Sequence, residues 1–577
     1  MEEIHYKYFM FKFYREKKFL FEMYSISKRI ILALLFLIIL ENRALSGRDR
    51  LVIGITQFPS SFHPNIDAML AKSYVNAMTS RPFTIYNSEW KLQCMLCLNL
   101  PSLRNGLAKT KVLSDGKKGI SITFEIHPDA TWGDGTPVTT SDVKFTWNVG
   151  RHKKSGVANV EFYRSLYDVE EHSSKRFTLH FDKVSFDYNA INSFRLIPAH
   201  IDVENFSEPE KYKFRSAFNT DPLNPGLYFG PYRISEIIPG ARVVLVPNST
   251  WYGKAPEFKT IVVRVIQNTT ALEANLLSGS VDMVAGELGF SVEQAISFER
   301  RNGHKYKIIF KPGLIYEHID LNLDNKILSD VRVRRALLYS IDRDAINKQL
   351  FSGRQPTAHS SVNPLDWVHS DKVTRYKYSP AIANKLLNEA GWILGQDGRR
   401  YNKNGDPLSL KLMSTSGNRT REMVGQVLKS QWKKVGVDIE IKNQPARVFF
   451  GQTVTERKFS SMAMFAWISS PESVPRTTLH SSHIPLPENN FSGQNYTGFK
   501  NKVMDGILEK LEVELNRDKR KKMWESVQEI YSSELPALPL YFRSNAYVLP
   551  KWLKGVKPTG HQGVSTNWIE YWHYESN

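Results

Sequence analysis

The sequence predicts an α/β protein, mixed sheets flanked by helices, on three observations. Ile261 to Ile266, Thr270 to Leu277 and Ser280 to Val284 read as strand, helix and strand, with Gly279 stopping the helix; such a β-α-β unit belongs in a sheet covered by helices. Pro380 to Ala390 and Arg421 to Val435 each read as a helix closed by a glycine, Gly391 and Gly436, and each is followed by a strand, Leu408 to Ser414 and Val437 to Ile441. Tyr316 to Ile346 joins an alternating strand to a charged helix. With 577 residues, 41% hydrophobic and 23% charged, the chain can bury several cores and lies outside the disordered class.

Taken in order, the chain begins with an address. Lys28 and Arg29 precede an apolar run of 11 residues from Ile30 to Leu40, and Ala44-Leu45-Ser46 supplies small residues. A membrane span needs about 20 residues, so residues 1 to 46 read as a secretory signal peptide cleaved near Ser46, with Met23 an alternative start. No cysteine neighbours the cleavage point, which predicts a soluble periplasmic protein. The formal charge is +19, and the eight basic and five acidic residues before Gly47 leave +16 afterwards. No run of five like charges occurs, and no nucleic-acid stripe is expected.

Leu51 to Thr56 is a buried-type strand, Phe58 to Pro64 a proline- and serine-rich loop, and Asn65 to Arg81 a helix. Cys94 and Cys97 are the only cysteines; without further soft ligands beside them, a local disulfide in an oxidising compartment is expected. Ile122, Phe124 and Ile126 alternate into a turn at Gly133 to Gly135, and Thr139 with Asp142 forms a capping box before a helix, with Trp132 packing. Ser141 and Lys144 fit the spacing of an acyl-enzyme serine, but its companion motifs are missing. Tyr232 to Val246 gives two strands around Pro239-Gly240. In the stretch from Tyr316, side chains 316, 318, 320 and 322 alternate with Ile315, Ile319, Leu321 and Leu323. Ser329 or Asp330 starts a helix, Asp342 caps a second, and the arginines taken singly read as solvated. Ser379 caps the helix at Pro380, and Met462 to Trp467 is an apolar strand opening into a loop to Pro475. Arg517 to Ser532 is a helix, and Leu535 to Val548 an extended return.

The run D-V-R-V-R-R-A-L-L-Y-S-I-D-R-D-A-I from Asp330 to Ile346 resembles the family-5 extracellular solute-binding proteins, the peptide, nickel and opine receptors of ABC importers. The same resemblance holds for W-G-D-G-T-P-V-T-T-S-D-V from Trp132, for Gly230-Pro-Tyr232, and for Y-S-P-A-I-A-N-K-L-L-N-E-A-G-W ending at Trp392. It implies a two-lobed periplasmic binding protein fold with a small inserted domain and a two-strand hinge. The expected divisions are 47–80, 201–311 and 536–577 for the first lobe, 81–200 for the insertion and 312–535 for the second lobe. It further implies capture of an oligopeptide or peptide-like solute by a monomer and its delivery to an inner-membrane ABC permease.

Candidate ligand-binding residues follow from strand ends and aromatic walls: Phe58, Ser60, Ser61, Phe62 and His63 in the first loop, Trp467, Ser469, Ser470 and Glu472 after the apolar strand, and Tyr541 in the return. In the peptide receptors an aspartate about three residues after the tryptophan pairs with the ligand's amino terminus; here that position is Ser470, with Glu472 a substitute. The missing carboxylate points to modified peptides, blocked ends or a non-peptide solute. His63, His318, His480 and His483 are the histidines a metal or haem ligand would use; no metal, cofactor or nucleic acid is expected. No H-E-x-x-H, G-x-S-x-G, G-x-x-x-x-G-K or G-x-G-x-x-G occurs, so no catalysis is expected. Rival readings are a receptor of the same fold for haem, nickel chelate, opine or sugar, an exported enzyme, and a structural envelope protein.

Overall fold

The protein is described by a computed structural model over residues 48–66, 69–445, 448–489, 491 and 493–576; the signal-peptide expectation lies outside these residues. In chain order the main elements are β1 (Arg50–Ile55), α1 (Leu70–Thr79), β2 (Ala108–Val112), β3 (Lys118–Glu125), α2 (Thr140–Arg151), β4 (Leu166–Glu171) and β5 (Arg176–Phe181). Then follow β6 (Tyr232–Ile238), β7 (Arg242–Pro247), β8 (Thr260–Val265), α3 (Thr269–Leu277), β9 (Met283–Val284), α4 (Val292–Asn302) and β10 (Tyr306–Leu321). The remainder comprises α5 (Val331–Tyr339), α6 (Arg343–Phe351), α7 (Pro380–Glu389), β11 (Ser409–Thr415), α8 (Arg419–Lys433), β12 (Asp438–Gln444), β13 (Met462–Ile468), α9 (Lys502–Val513), α10 (Arg517–Glu534) and β14 (Ala537–Pro550).

Ten strands form one sheet in the order β12-β11-β13-β10-β14-β9-β1-β8-β7-β6, and β2, β3, β5 and β4 form a separate four-stranded sheet. The β8-α3-β9 unit places both its strands parallel to β1, one on each side. Asn268 caps α3, and Gly279 leaves it with φ +76°, a conformation that costs glycine little. The second strand of the unit is short, only Met283–Val284, because the chain then leaves the sheet towards the middle of the molecule. α1 starts at Leu70 rather than Asn65. The residues before it are held otherwise, with Ile66 bridged to Val157 and His63 Nδ1 accepting from the N–H groups of Asn65 and Ile66.

The two halves of the large sheet meet at β10 and β14. Tyr306 to Pro312 pairs with Pro550 to Ser544, beside β9 and β1; Ile315 to Leu321 pairs with both β14 and β13. Between Pro312 and Ile315 the register slips, and the Leu314 N–H turns out to the carbonyl of Gly560 at 2.8 Å. One large core lies under β1, β3, β5, β6 to β8 and α1, α2; another lies under β11 to β13 and α5 to α8.

The arginines after Asp330 divide. Arg332 is exposed and pairs with the Asp330 that caps α5. Arg334 and Arg343, read from sequence as solvated, are buried. Arg334 donates to the carbonyls of Leu328, Ser329 and Glu534, and Arg343 to those of Ala358, Pro539 and Tyr376. A guanidinium has five N–H donors and no acceptor, so Arg334 ties the segment before α5 to the end of α10, and Arg343 ties two loop carbonyls to Pro539 of β14. Cys94 and Cys97 are joined in a disulfide, and Thr139 and Asp142 form the capping box of α2.

Candidate functional site: a cleft at converging strand ends

β1 and β9 run parallel to each other, and β10 runs with them, because each of β9 and β10 is antiparallel to β14. β11 and β13 run the opposite way. The carboxyl ends of β1 and β9 therefore point at the crossing from one side, and the carboxyl end of β11 from the other. Open α/β sheets bind ligands outside the carboxyl ends of their strands, and here two such ends face one another. The space between them is a cleft of about 1280 Å³. Its walls are Thr56 and Gln57 after β1, Gly286 to Ser291 after β9, Thr415 to Thr420 between β11 and α8, and Phe450. Ile315 and Arg543 to Asn545 of the crossing strands form its floor.

The floor carries a buried charge cluster. Glu317, fully buried on β10, receives Arg421 Nε at 2.7 Å and Arg543 Nη2 at 2.5 Å. Arg421 also donates to Thr415 Oγ1 at 3.1 Å. Burial pushes the Glu317 carboxyl up, but Arg543 and Arg421 outweigh it and hold it below the ordinary range. Two guanidiniums share this carboxylate, and the charge of Glu293, another residue of the cleft wall, also acts on Arg543. On the opposite wall Glu287 accepts from the Ser565 N–H at 2.8 Å, and burial raises its pKa.

Past the end of β13 lie three smaller chambers of about 280, 290 and 270 Å³. Trp467 and Ser469 line the first, with Tyr316, His318 and Asp320 of β10. Trp467 also stacks on Tyr496, centroids 5.8 Å apart. Ser470 lines the other two. The last of them is shut by the Phe186 N–H, which donates to the Glu512 carbonyl at 3.1 Å across from the segment bearing the small sheet.

Several sequence candidates are placed elsewhere. His63 is fully buried; its Nε2 lies 3.2 Å from Tyr212 Oη and both ring nitrogens are engaged. Burial, then the nearby Lys72, pull its pKa down to about 3, which makes it a neutral core residue. Phe62 belongs to the same core, and Phe58 packs against it half-buried. Ser60 is exposed and Ser61 half-buried, yet it is their neighbours Thr56 and Gln57 that line the cleft. Tyr541 is buried against Phe351, because its side chain points from β14 into the second core.

Glu472 is committed to structure. It pairs with Arg520, accepts from Trp367 Nε1 at 2.9 Å, and its own N–H donates to Asp366 at 2.8 Å, with φ +55°. Its carboxylate is thus engaged by Arg520 and Trp367, while Glu472 also lines the chamber of about 270 Å³ with Ser470. His480 Nδ1 accepts from the Ser482 N–H at 3.1 Å and its Nε2 faces Glu509 at 3.3 Å; among the described residues no histidine, cysteine and carboxylate group gathers into a metal site. Sequence reasoning missed Glu317, Arg421 and Arg543. One signal existed, since Glu317 is the charged member of the phase otherwise filled by Ile315, Ile319, Leu321 and Leu323.

Residues 102–484 match the model of the bacterial extracellular solute-binding proteins, family 5. The chain belongs to this family. Among relatives, the oligopeptide-binding protein AppA of Bacillus subtilis strain 168 is 25% identical over 453 residues, 76% of this chain and 78% of that one. Among solved structures, an oligopeptide-binding protein of Thermus thermophilus in complex with a pentapeptide is 28% identical, with a TM-score of 0.69 over 91% of this chain and 96% of that one. NikZ of Campylobacter jejuni, in complex with Ni(L-His), is 22% identical, with a TM-score of 0.70 over 92% and 100%. A family-5 fold therefore serves solutes as different as a pentapeptide and a nickel complex, and the chain shares that two-lobed α/β architecture.

Proposed function

We propose that this family-5 protein is a periplasmic receptor that captures an oligopeptide or peptide-like solute between two lobes and delivers it to an ABC permease. The observation that carries the reading is the cleft of about 1280 Å³ where strand ends of the two sheet halves converge on the crossing strands β10 and β14. Strand edges and ends suit an extended chain, which supplies its own N–H and C=O groups for pairing. The guanidiniums of Arg421 and Arg543, which line the cleft, suit a carboxylate. We place the first lobe in residues 47–80, 201–311 and 536–577, the insertion in 81–200 and the second lobe in 312–535, with β10 and β14 as the hinge. No catalytic step is assigned.

Native mass spectrometry of the mature protein purified from its own periplasm, with the carried solute released under denaturing conditions, tests this. A bound peptide or acylated peptide is expected. A non-peptide solute, together with no thermal shift from peptide pools, overturns it.

A further inference from the structure

The chamber of about 290 Å³ beside Ser470 has the wrong polarity for an amine. Arg195 and Lys72 line it with the amides of Asn76, Asn192, Gln562 and Asn567, and no aspartate or glutamate is among its described lining residues. The Lys72 ammonium donates to the carbonyls of His63 and Ile66. Arg195 differs. Its carbonyl accepts from Asn65 Nδ2 at 2.8 Å, but its guanidinium has no hydrogen bond or ion pair to a described residue. Arg81, whose charge also bears on it, is already spent on Glu570 at 2.6 Å. Burial pulls the Arg195 pKa down to about 10, so it remains a cation at neutral pH.

Two acceptors in the same chamber are also unmet. Asn76 donates to the Phe62 carbonyl at 3.0 Å and Asn567 to that of Val564 at 2.8 Å, while the Oδ1 atoms of both are buried with no partner. Among the described residues, a half-buried guanidinium without a counter-ion and buried oxygens without donors are both costly. A single ligand group resolves both if it brings negative oxygens and adjacent N–H or O–H donors.

We propose that this chamber seats an oxyanionic end of the captured solute, carboxylate or phosphate, on Arg195, with N–H or O–H donors of the same solute meeting Asn76 and Asn567. The proposal rests on the inter-lobe capture reading and names the solute class. The hydroxyl of Ser470 fits it, since a carboxylate there would repel the seated anion.

Four matched C-terminally amidated peptides, which have no other carboxylate to seat, test it by titration calorimetry on the mature protein: trialaninamide with a free amine and its N-acetyl, N-succinyl and N-phosphonoacetyl derivatives. The acidic caps should bind about tenfold or more tightly than the acetyl cap, the scale of a charge-assisted contact, and the free amine most weakly. Whichever acidic cap is tighter identifies carboxylate or phosphate as the natural group. Arg195→Gln should erase the acidic advantage and change N-acetyl-trialaninamide, which has no oxyanion to seat, far less. Should that variant not fold, Ser470→Asp must reduce the acidic peptides and improve the free amine. Survival of the advantage without Arg195, an unaltered preference in Ser470→Asp, or equal binding of all four, overturns the anion seat while leaving capture intact. Failure of all four and of a mixed peptide digest removes both readings.

Discussion

Replacing Glu317 by Gln tests the charge cluster under the cleft. The carboxylate is fully buried and pairs at 2.7 Å with Arg421 and at 2.5 Å with Arg543, whose side chains retain 8% and 29% of their exposure. The amide is isosteric, so packing is kept and the perturbation is electrostatic. Removing one partner of a buried pair costs about 3–5 kcal/mol because the remaining charge is left uncompensated. Arg543 can turn part of its charge to solvent, which puts the expectation near the lower figure, about 3 kcal/mol. Urea unfolding followed by tryptophan fluorescence at pH 7 measures it. The pH dependence gives a second readout. Glu317 is held below its ordinary value of 4.5, so its contribution is present above that value and lost as pH falls through the depressed one. The wild type should therefore lose stability on acidification more steeply than the variant. A loss below about 1 kcal/mol, or parallel acid profiles, would refute the cluster as a stabilising ion network.

Three further outcomes are expected. Arg334→Met should cost about 2–4 kcal/mol, because it orphans the carbonyls of Leu328, Ser329 and Glu534; a chemical melt measures it, and a loss within error would mean those carbonyls find water. Gly313→Ala would place its Cβ 2.5 Å from the Gly560 carbonyl oxygen, so overpacking should destabilise the hinge by about 1–3 kcal/mol and change solute affinity, both checked by melting and calorimetry on one preparation. Ser470→Asp should improve binding of unmodified free-amine peptides, and no change in calorimetry would separate Ser470 from specificity.

Local rules carried most of the fold. Capping side chains at Asp330, Asp342 and Ser379 and glycines at 279, 391 and 436 mark helix ends within three residues of where they fall, because these signals act over a single turn. The site was less legible for a physical reason. A cleft residue is defined by what stands opposite it, and Arg195 and Ser470 meet in one chamber across 275 positions of sequence. Alternation in β10 implied one wet face, yet Tyr316, His318 and Asp320 are buried like their neighbours, since that face lines an internal chamber rather than bulk water. Aromatic residues were equally ambiguous: Trp467 lines a chamber while Phe62 and Tyr541 fill cores, and no local pattern separates the two fates.

The unpaired charges also bear on when the cleft closes. Arg195 comes from the segment around the small sheet, Ser470 and Pro471 of the same chamber come from the loop after β13, and Arg543 beside Glu317 sits on the crossing strand β14. While the halves are apart, water hydrates these cations. Bringing the halves together over an empty cleft strips that water and returns nothing, a cost that burial of unpaired charge makes large. An acidic solute changes the balance, because its oxygens replace the water as the halves meet, and a ligand shifts a conformational equilibrium only by its differential affinity for the two states. Under the proposed hinge and anion seat, the Arg195 guanidinium disfavours closure without solute, and the charge that selects the solute also makes closure a report of its presence.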